Sequence, residues 1–311
     1  MNKRHLISTV TVAAATAITL GFSPTAFAKA SGSSAAGVAA VVEHATGTSG
    51  LAPLTPTTGG ALMATSRTTG GAVTVMAPST TTGDVTSSAP DGSTLSVTLP
   101  ATRSVAAQDA GRGTAVYPGA AKDTDLAVQS TADGGARVLV ALNSANAPTE
   151  HRFTFKLPAG AELVANEEHG YDVVKKGATG GMFTLGQIQA PWAKDARGND
   201  LPTSYRLEGD TVVQDVATDN GTAYPVVADP KFTWGIATGT AYFNKKETKE
   251  FATAAGVVSW ATRFAPPPWG TIISGYATYI AAQAGIASAN DECVEVKSVG
   301  VVYRYSGGYC S

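Results

Sequence analysis

Along most of its length the chain alternates short apolar runs with Gly, Pro, Asn and Asp, and a helical period takes over only near the C-terminus. From Ala72 to Asp229 the alternation has a period of two, as antiparallel strands do. It predicts strands at Ala72 to Met76, Thr94 to Leu99, Leu126 to Thr131, Arg137 to Leu142, His151 to Leu157, Tyr171 to Val174, Thr203 to Leu207 and Thr211 to Val216. Asp133-Gly134-Gly135 marks a hairpin turn, because glycine reaches positive φ without steric cost, and Glu208-Gly209-Asp210 is a second candidate. No long 3.6-residue pattern interrupts this region. An antiparallel β-sandwich, or a barrel-like relative of it, is therefore expected over residues 71–230.

Beyond Pro230 the period changes. Lys231 to Phe243 reads as a strand or extended entry, and Asn244 with Glu247 has the spacing of a helix N-cap and its reciprocal acid. A helix is expected from Lys245 to Arg263, with Phe251, Ala255, Val257, Val258, Trp260 and Ala261 in one apolar band. It must stop before Pro266, Pro267 and Pro268, which lack amide donors. A second helix follows from Trp269 or Thr271 to Asn290, inside a run of 27 uncharged residues from Phe264 to Asn290. One of its faces carries Ile273, Tyr276, Ile280, Ala284 and Ala287; another carries Gly275, Thr278, Ala282, Gly285 and Ala289. Small residues at that spacing let two helix backbones approach, which predicts an antiparallel helical hairpin packed through the small stripe. Cys293 to Lys297 and Val301 to Tyr305 read as two short strands joined at Ser298 to Gly300. The fold class expected is thus multidomain and mainly β: the sandwich, then a small α+β module over residues 231–311.

The first 28 residues have the order of a secretory signal peptide: Lys3 and Arg4, an apolar run from Leu6 to Phe22, and Ala26-Phe27-Ala28 before the cut. Residues 29–70 are dominated by Ala, Gly, Ser and Thr and read as a flexible lead-in, with room for a short helix at Ala36 to His44. Removing residues 1–28 leaves 20 Lys plus Arg against 24 Asp plus Glu, a mildly acidic balance that argues against nucleic acid as a partner. The only two cysteines, Cys293 and Cys310, are most simply one disulfide in an exported chain.

Several stretches carry a resemblance: Pro191-Trp192-Ala193-Lys194-Asp195-Ala196 with Gly198, Pro202-Thr203-Ser204-Tyr205, and Tyr224-Pro225-Val226-Val227-Ala228-Asp229-Pro230. Trp234-Gly235, Tyr242-Phe243-Asn244-Lys245-Lys246-Glu247-Thr248 and Tyr305-Ser306-Gly307-Gly308-Tyr309-Cys310 continue it. Together, over about residues 90–311, they resemble a family of exported actinobacterial proteins without an assigned activity. The resemblance implies an exported β domain followed by a variable helical module, and it brings no catalytic residues.

Candidate chemistry is sparse. The chain has no G-x-S-x-G elbow, zinc-binding H-E-x-x-H, P-loop or C-x-x-C pair. His151 and His169 could each seed a triad, but they read better as surface histidines at strand ends, and His44 falls in the lead-in. Glu167-Glu168-His169 reads as a solvated acidic turn rather than a metal site, and Asp195, Asn199 and Asp200 as a turn rather than a calcium loop. No catalytic, cofactor or metal residue is assigned. Tyr224 to Pro230 reads as a final strand and stiff exit from the β domain, with a processing hinge near Lys231 as the sharper alternative. A helix over Thr271 to Ala289 would be about 28 Å long, near the thickness of a hydrocarbon core, but its composition drives insertion weakly. These features predict a secreted, cell-wall-facing, non-enzymatic protein whose segment 242–311 contacts a partner, the envelope or a membrane. The alternatives are a bacteriocin-like antagonist released from the β domain and an extracellular hydrolase. The segment 231–311 holds seven basic residues against five acidic ones, a weak bias toward anionic surfaces.

Overall fold

The apolar alternation becomes two antiparallel sheets. The computed structural model describes residues 34–311 apart from 69, 70, 167, 179, 236–238, 308 and 311; the expected signal peptide lies outside these residues. In chain order come α1 (Ala35–Thr46), β1 (Thr55–Pro56), β2 (Leu62–Thr68), β3 (Gly71–Ala77), β4 (Asp84–Ser88), β5 (Thr94–Thr98), β6 (Gln108–Asp109) and β7 (Thr114–Ala121). Next are β8 (Thr124–Ser130), β9 (Ala136–Leu142), β10 (Glu150–Lys156), β11 (Ala161–Ala165), β12 (Tyr171–Lys176), β13 (Met182–Ile188) and β14 (Ala193–Lys194). They are followed by β15 (Thr203–Glu208), β16 (Thr211–Val216), β17 (Val226–Ala228), β18 (Lys231–Trp234) and β19 (Thr240–Tyr242). The chain ends with α2 (Lys245–Glu250), α3 (Ala254–Phe264), α4 (Trp269–Gly275), α5 (Ala277–Ala289), β20 (Cys293–Lys297) and β21 (Val302–Tyr305).

One sheet has the order β1-β2-β3-β4-β5-β10-β16-β15 and the other β21-β20-β19-β13-β18-β9-β8-β7-β6, with β12 and β11 added beyond β13 and β17 and β14 beside β9. Their inner faces share one core, in which Val75, Leu95, Phe153 and Phe155 of the first sheet meet Tyr117, Val138, Phe232 and Trp234 of the second. Helices cover the far side of the second sheet: α1 packs on Val116, Leu139 and Val227, while α3, α4 and α5 enclose Phe183, Phe243 and Val294. With both faces covered, β8 is buried at every position, polar Gln129 and Ser130 included. This is the mainly β sandwich with a C-terminal helix and β-hairpin unit that the alternation predicted.

Two expectations about layout are corrected. Residues 34–68 are ordered rather than a loose lead-in: Ser34 caps α1 by accepting from the Gly37 amide, and Val38, Ala39 and Val42 are buried. Glu43, also buried, pairs with Arg112. The low-complexity composition concealed this because Ala, the main residue of α1, is small enough to pack flat on a sheet and is the best helix former. Nor is residue 230 a domain boundary. Strand β18 follows it directly and pairs with both β13 and β9, and β19 joins β13 to β20. The described residues all belong to one compact unit.

The helical unit departs from two long helices. The capping box at Asn244 and Glu247 is present, but α2 ends at Phe251, and Thr253 starts α3 by accepting from the Gly256 amide. The second helix is likewise interrupted at Tyr276, between α4 and α5. The small stripe does not form the contact. Gly275, Thr278, Ala282, Gly285 and Ala289 all face outward, and the buried set is Ile273, Ala277, Ile280, Ala284 and Ala287. The buried face is anchored by Ile273 and Ile280, whose burial removes more apolar surface from water than the small stripe could. Among the described residues no helix is long and apolar enough to cross a membrane. The 13 residues of α5 span about 20 Å rather than 28 Å.

Candidate functional site

The histidines separate first. His169 and His44 are exposed, whereas His151 is buried at 4% exposure, contrary to the expectation of a surface residue. The antiparallel register explains this. His151 lies opposite Gln214, and Gln214 lies opposite Tyr205, so the three form one row across β10, β16 and β15. On β10 the row shares its face with Phe153 and Phe155, which point into the core. The opposite face carries a solvated ion-pair network in which Arg206 pairs with Glu150, Glu208 and Asp215, and Arg152 with Glu150 and Glu208.

The row meets two of the other sequence stretches. The Gln214 amide donates to the Trp192 carbonyl at 3.3 Å, and the Trp192 amide donates to Asp229 Oδ1 at 3.1 Å. The Tyr205 hydroxyl, buried although its ring reaches the surface, lies against the Asp229 carboxylate. Burial first, and then that carboxylate, push the phenol well above its usual range. Burial pushes Asp229 up to about 7 against hydrogen bonds from neighbouring amides, and burial drives His151 down to about 4 against the pull of Glu150 and Asp215. His151 Nε2, Gln214 Oε1, Tyr205 Oη and Asp229 Oδ2 are buried and make no hydrogen bond of good geometry, so the cluster is tightly enclosed. No serine or cysteine nucleophile occupies this row. It can hold the sheets in register, and its pKa values make it sensitive to pH.

The remaining sequence candidates resolve as turns. Asp195 accepts from the Arg197 and Asn199 amides, both at 2.9 Å, from the Arg197 guanidinium and from the Asn199 side chain. Burial raises this carboxyl, but those donors outweigh it and hold it at about 2. Its oxygens are engaged within the turn, and Asp200 instead pairs with Lys194 at the surface. Glu167 lies outside the described residues, and Glu168 is exposed beside His169. Among the described residues no group of three potential ligands gathers to hold a metal.

At the C-terminal unit, Glu247 is the side chain that sequence reading undervalued. Besides closing the capping box it accepts from the Gly181 amide at 2.8 Å and from the Tyr309 hydroxyl at 3.0 Å. A side chain at Gly180, where φ is +127°, would put its Cβ 2.1 Å from Glu247 Oε1, so glycine is required there. The Cys293–Cys310 disulfide forms as expected, with Cα atoms 5.6 Å apart, and secures the tail that carries Tyr309.

The outer face of α5 is uncharged and largely apolar. Tyr279, Ala282, Ile286 and Ala289 recur along α5 at helical spacing, with Tyr279 and Ile286 each nearly half exposed. Tyr276 continues the surface to the β20–β21 turn, where its ring seats on Gly300 and Val299 is 75% exposed. The signal for this face was present in the sequence, as the absence of charge across α5 combined with only one buried face. No family model matches the chain, and neither do any of the curated proteins or solved structures compared with it.

Proposed function

We propose that the protein is an exported, non-enzymatic scaffold whose C-terminal unit contacts a protein partner or the cell envelope through the outer face of α5. The carrying observation is that uncharged face, with Tyr276, Tyr279 and Ile286 in solvent on a helix whose other side is fully packed. Tyrosines with exposed rings supply large contact area at low conformational cost, and the lack of charge lowers the desolvation penalty of docking. The disulfide and the sheet pairing through β19 and β20 hold the face rigid, which limits the entropy lost on binding.

Release of residues 231–311 as a separate antagonist is disfavoured by β18, because cutting beside Lys231 would free a segment whose strand lies between β13 and β9. A hydrolytic role finds little support in the polar cluster, which lacks a nucleophile and is enclosed. The test is site-specific photocrosslinking on producing cells, with benzoylphenylalanine at position 279 or 286 and a control at exposed Leu207 on β15. A protein or envelope adduct formed from 279 and 286 but not from 207 supports the proposal. Equal yields from all three positions reject it.

A further inference from the structure

A second surface feature lies away from α5, where the turn after β4, the end of β12 and the end of α3 meet. They enclose a cleft of about 290 Å³. This is near the lower end of the range for small-molecule sites, about 300 to 1,000 Å³. Its apolar lining is rigid. Trp234 is fixed by donating from Nε1 to the Ser93 carbonyl at 3.2 Å, Phe183 sits in the aromatic cluster with Trp260 and Trp269, and Pro266 to Pro268 form a wall without amide donors. Its charged lining is one-sided. Lys175, Lys176 and Arg263 stand against the single carboxylate of Asp91, which already accepts from the Ser93 amide and hydroxyl.

Among the described residues neither Lys175 nor Arg263 has an ion-pair partner, while Lys176 lies over the Tyr309 ring at 5.6 Å. Arg263 belongs to the last turn of α3, where the helix dipole favours a cation. That accounts for a positive charge at this place. It does not account for a second cation, contributed by a strand of the other layer, facing the same apolar hollow. We propose that this cleft binds a small amphipathic anion, with a carboxylate, sulfonate or phosphate head between Lys175 and Arg263 and an aromatic or aliphatic body against Trp234, Phe264 and the prolines. Such division of labour is usual for small-molecule sites, in which apolar walls supply affinity and a few charges fix orientation.

The probe is 8-anilinonaphthalene-1-sulfonate, followed by fluorescence with the full mature chain at neutral pH, with N-phenyl-1-naphthylamine as its uncharged counterpart. The expected result is one saturable site for the sulfonate, weakened about tenfold or more in K175A/R263A and unchanged in I286S, which alters the α5 face instead. The uncharged dye should respond to K175A/R263A less than about twofold. Near-ultraviolet circular dichroism of each variant confirms that packing is kept. As a second measurement, 2-naphthoate or 2-naphthyl phosphate should displace the sulfonate, and whichever does so identifies the preferred head. Sulfonate binding that K175A/R263A leaves intact, that I286S abolishes, or that only neutral 2-naphthol displaces would overturn the assignment. These outcomes are separate from the crosslinking result at α5, so either site can fail without the other.

Discussion

At His151 and Asp229 the cluster between the sheets makes a pH-dependent statement about stability. His151 falls from an ordinary 6.5 to about 4 in the fold, so unfolding lets it bind a proton between those values. Its contribution to stability therefore rises as pH climbs from about 4 to 6.5. Asp229 is displaced the other way, from 3.8 to about 7, so the folded chain holds a proton that the unfolded chain releases. Its contribution is present below about 4 and lost as pH rises toward 7. The His151 branch is on the order of 3 kcal/mol and the Asp229 branch on the order of 4 kcal/mol, and over most of the window they offset one another. His151→Gln should leave only the falling branch and Asp229→Asn only the rising one. Urea midpoints measured from pH 4 to 7.5 would show the two variants sloping in opposite directions; parallel curves for both variants and the parent would refute the cluster's titration. Glu247→Ala should cost on the order of 3 kcal/mol, since it strands the Gly181 and Asn244 amides and the Tyr309 hydroxyl at once, with Glu247→Gln intermediate in thermal melting.

Among the elements, α5 gives the sharpest contrast between pattern and packing. Ala284 is fully buried while Gly285 has open space around it. Gly285→Ala should therefore stabilise the fold by about 0.5 to 1 kcal/mol through helix propensity, and Ala284→Leu should destabilise it by about 1 to 3 kcal/mol through overpacking. If the small stripe were the contact, Gly285→Ala would be the harmful change. The strands were the legible elements: all eight predicted between Ala72 and Val216 occur with ends shifted by a residue or two, as do the two after Cys293. Of those missed, β2 and β4 do alternate in burial, β2 within the stretch read as a lead-in, and β11 and β13 likewise lie outside the predicted set; the others have a visible reason. β7 contains Pro118 and Gly119, and its register shifts beyond Tyr117, while β1, β6 and β14 are only two residues long. The polar row was illegible for a different reason. Tyr205 and Gln214 are neighbours across strands, and Trp192 and Asp229 reach them from the opposite sheet, so only pairing reveals that three of the quoted motif stretches converge.

For the molecule as a whole, the continuity of the second sheet through β18 and β19 implies one cooperative unit. Trp234 reports the sandwich core, and Trp260 and Trp269 report the helical one. Far-ultraviolet dichroism and tryptophan fluorescence should therefore follow a single superimposable transition, whereas a separate early melt of the C-terminal helices would restore the two-domain view. Trypsin should spare Lys231, whose side chain pairs with Asp133 at 2.8 Å and is only 13% exposed. Cys310→Ser should lower stability by about 3 kcal/mol in the chain-entropy picture and loosen Tyr309 from Glu247. The position of β18 also sets an order of events during synthesis. Phe232 and Trp234 complete a core begun by residues as early as Ala52, so the ribosome must finish most of the chain before that core can close. Long-range pairing of this kind folds slowly and leaves strand edges open in the interim, so the nascent protein would depend on being kept apart from its own copies until β18 has emerged.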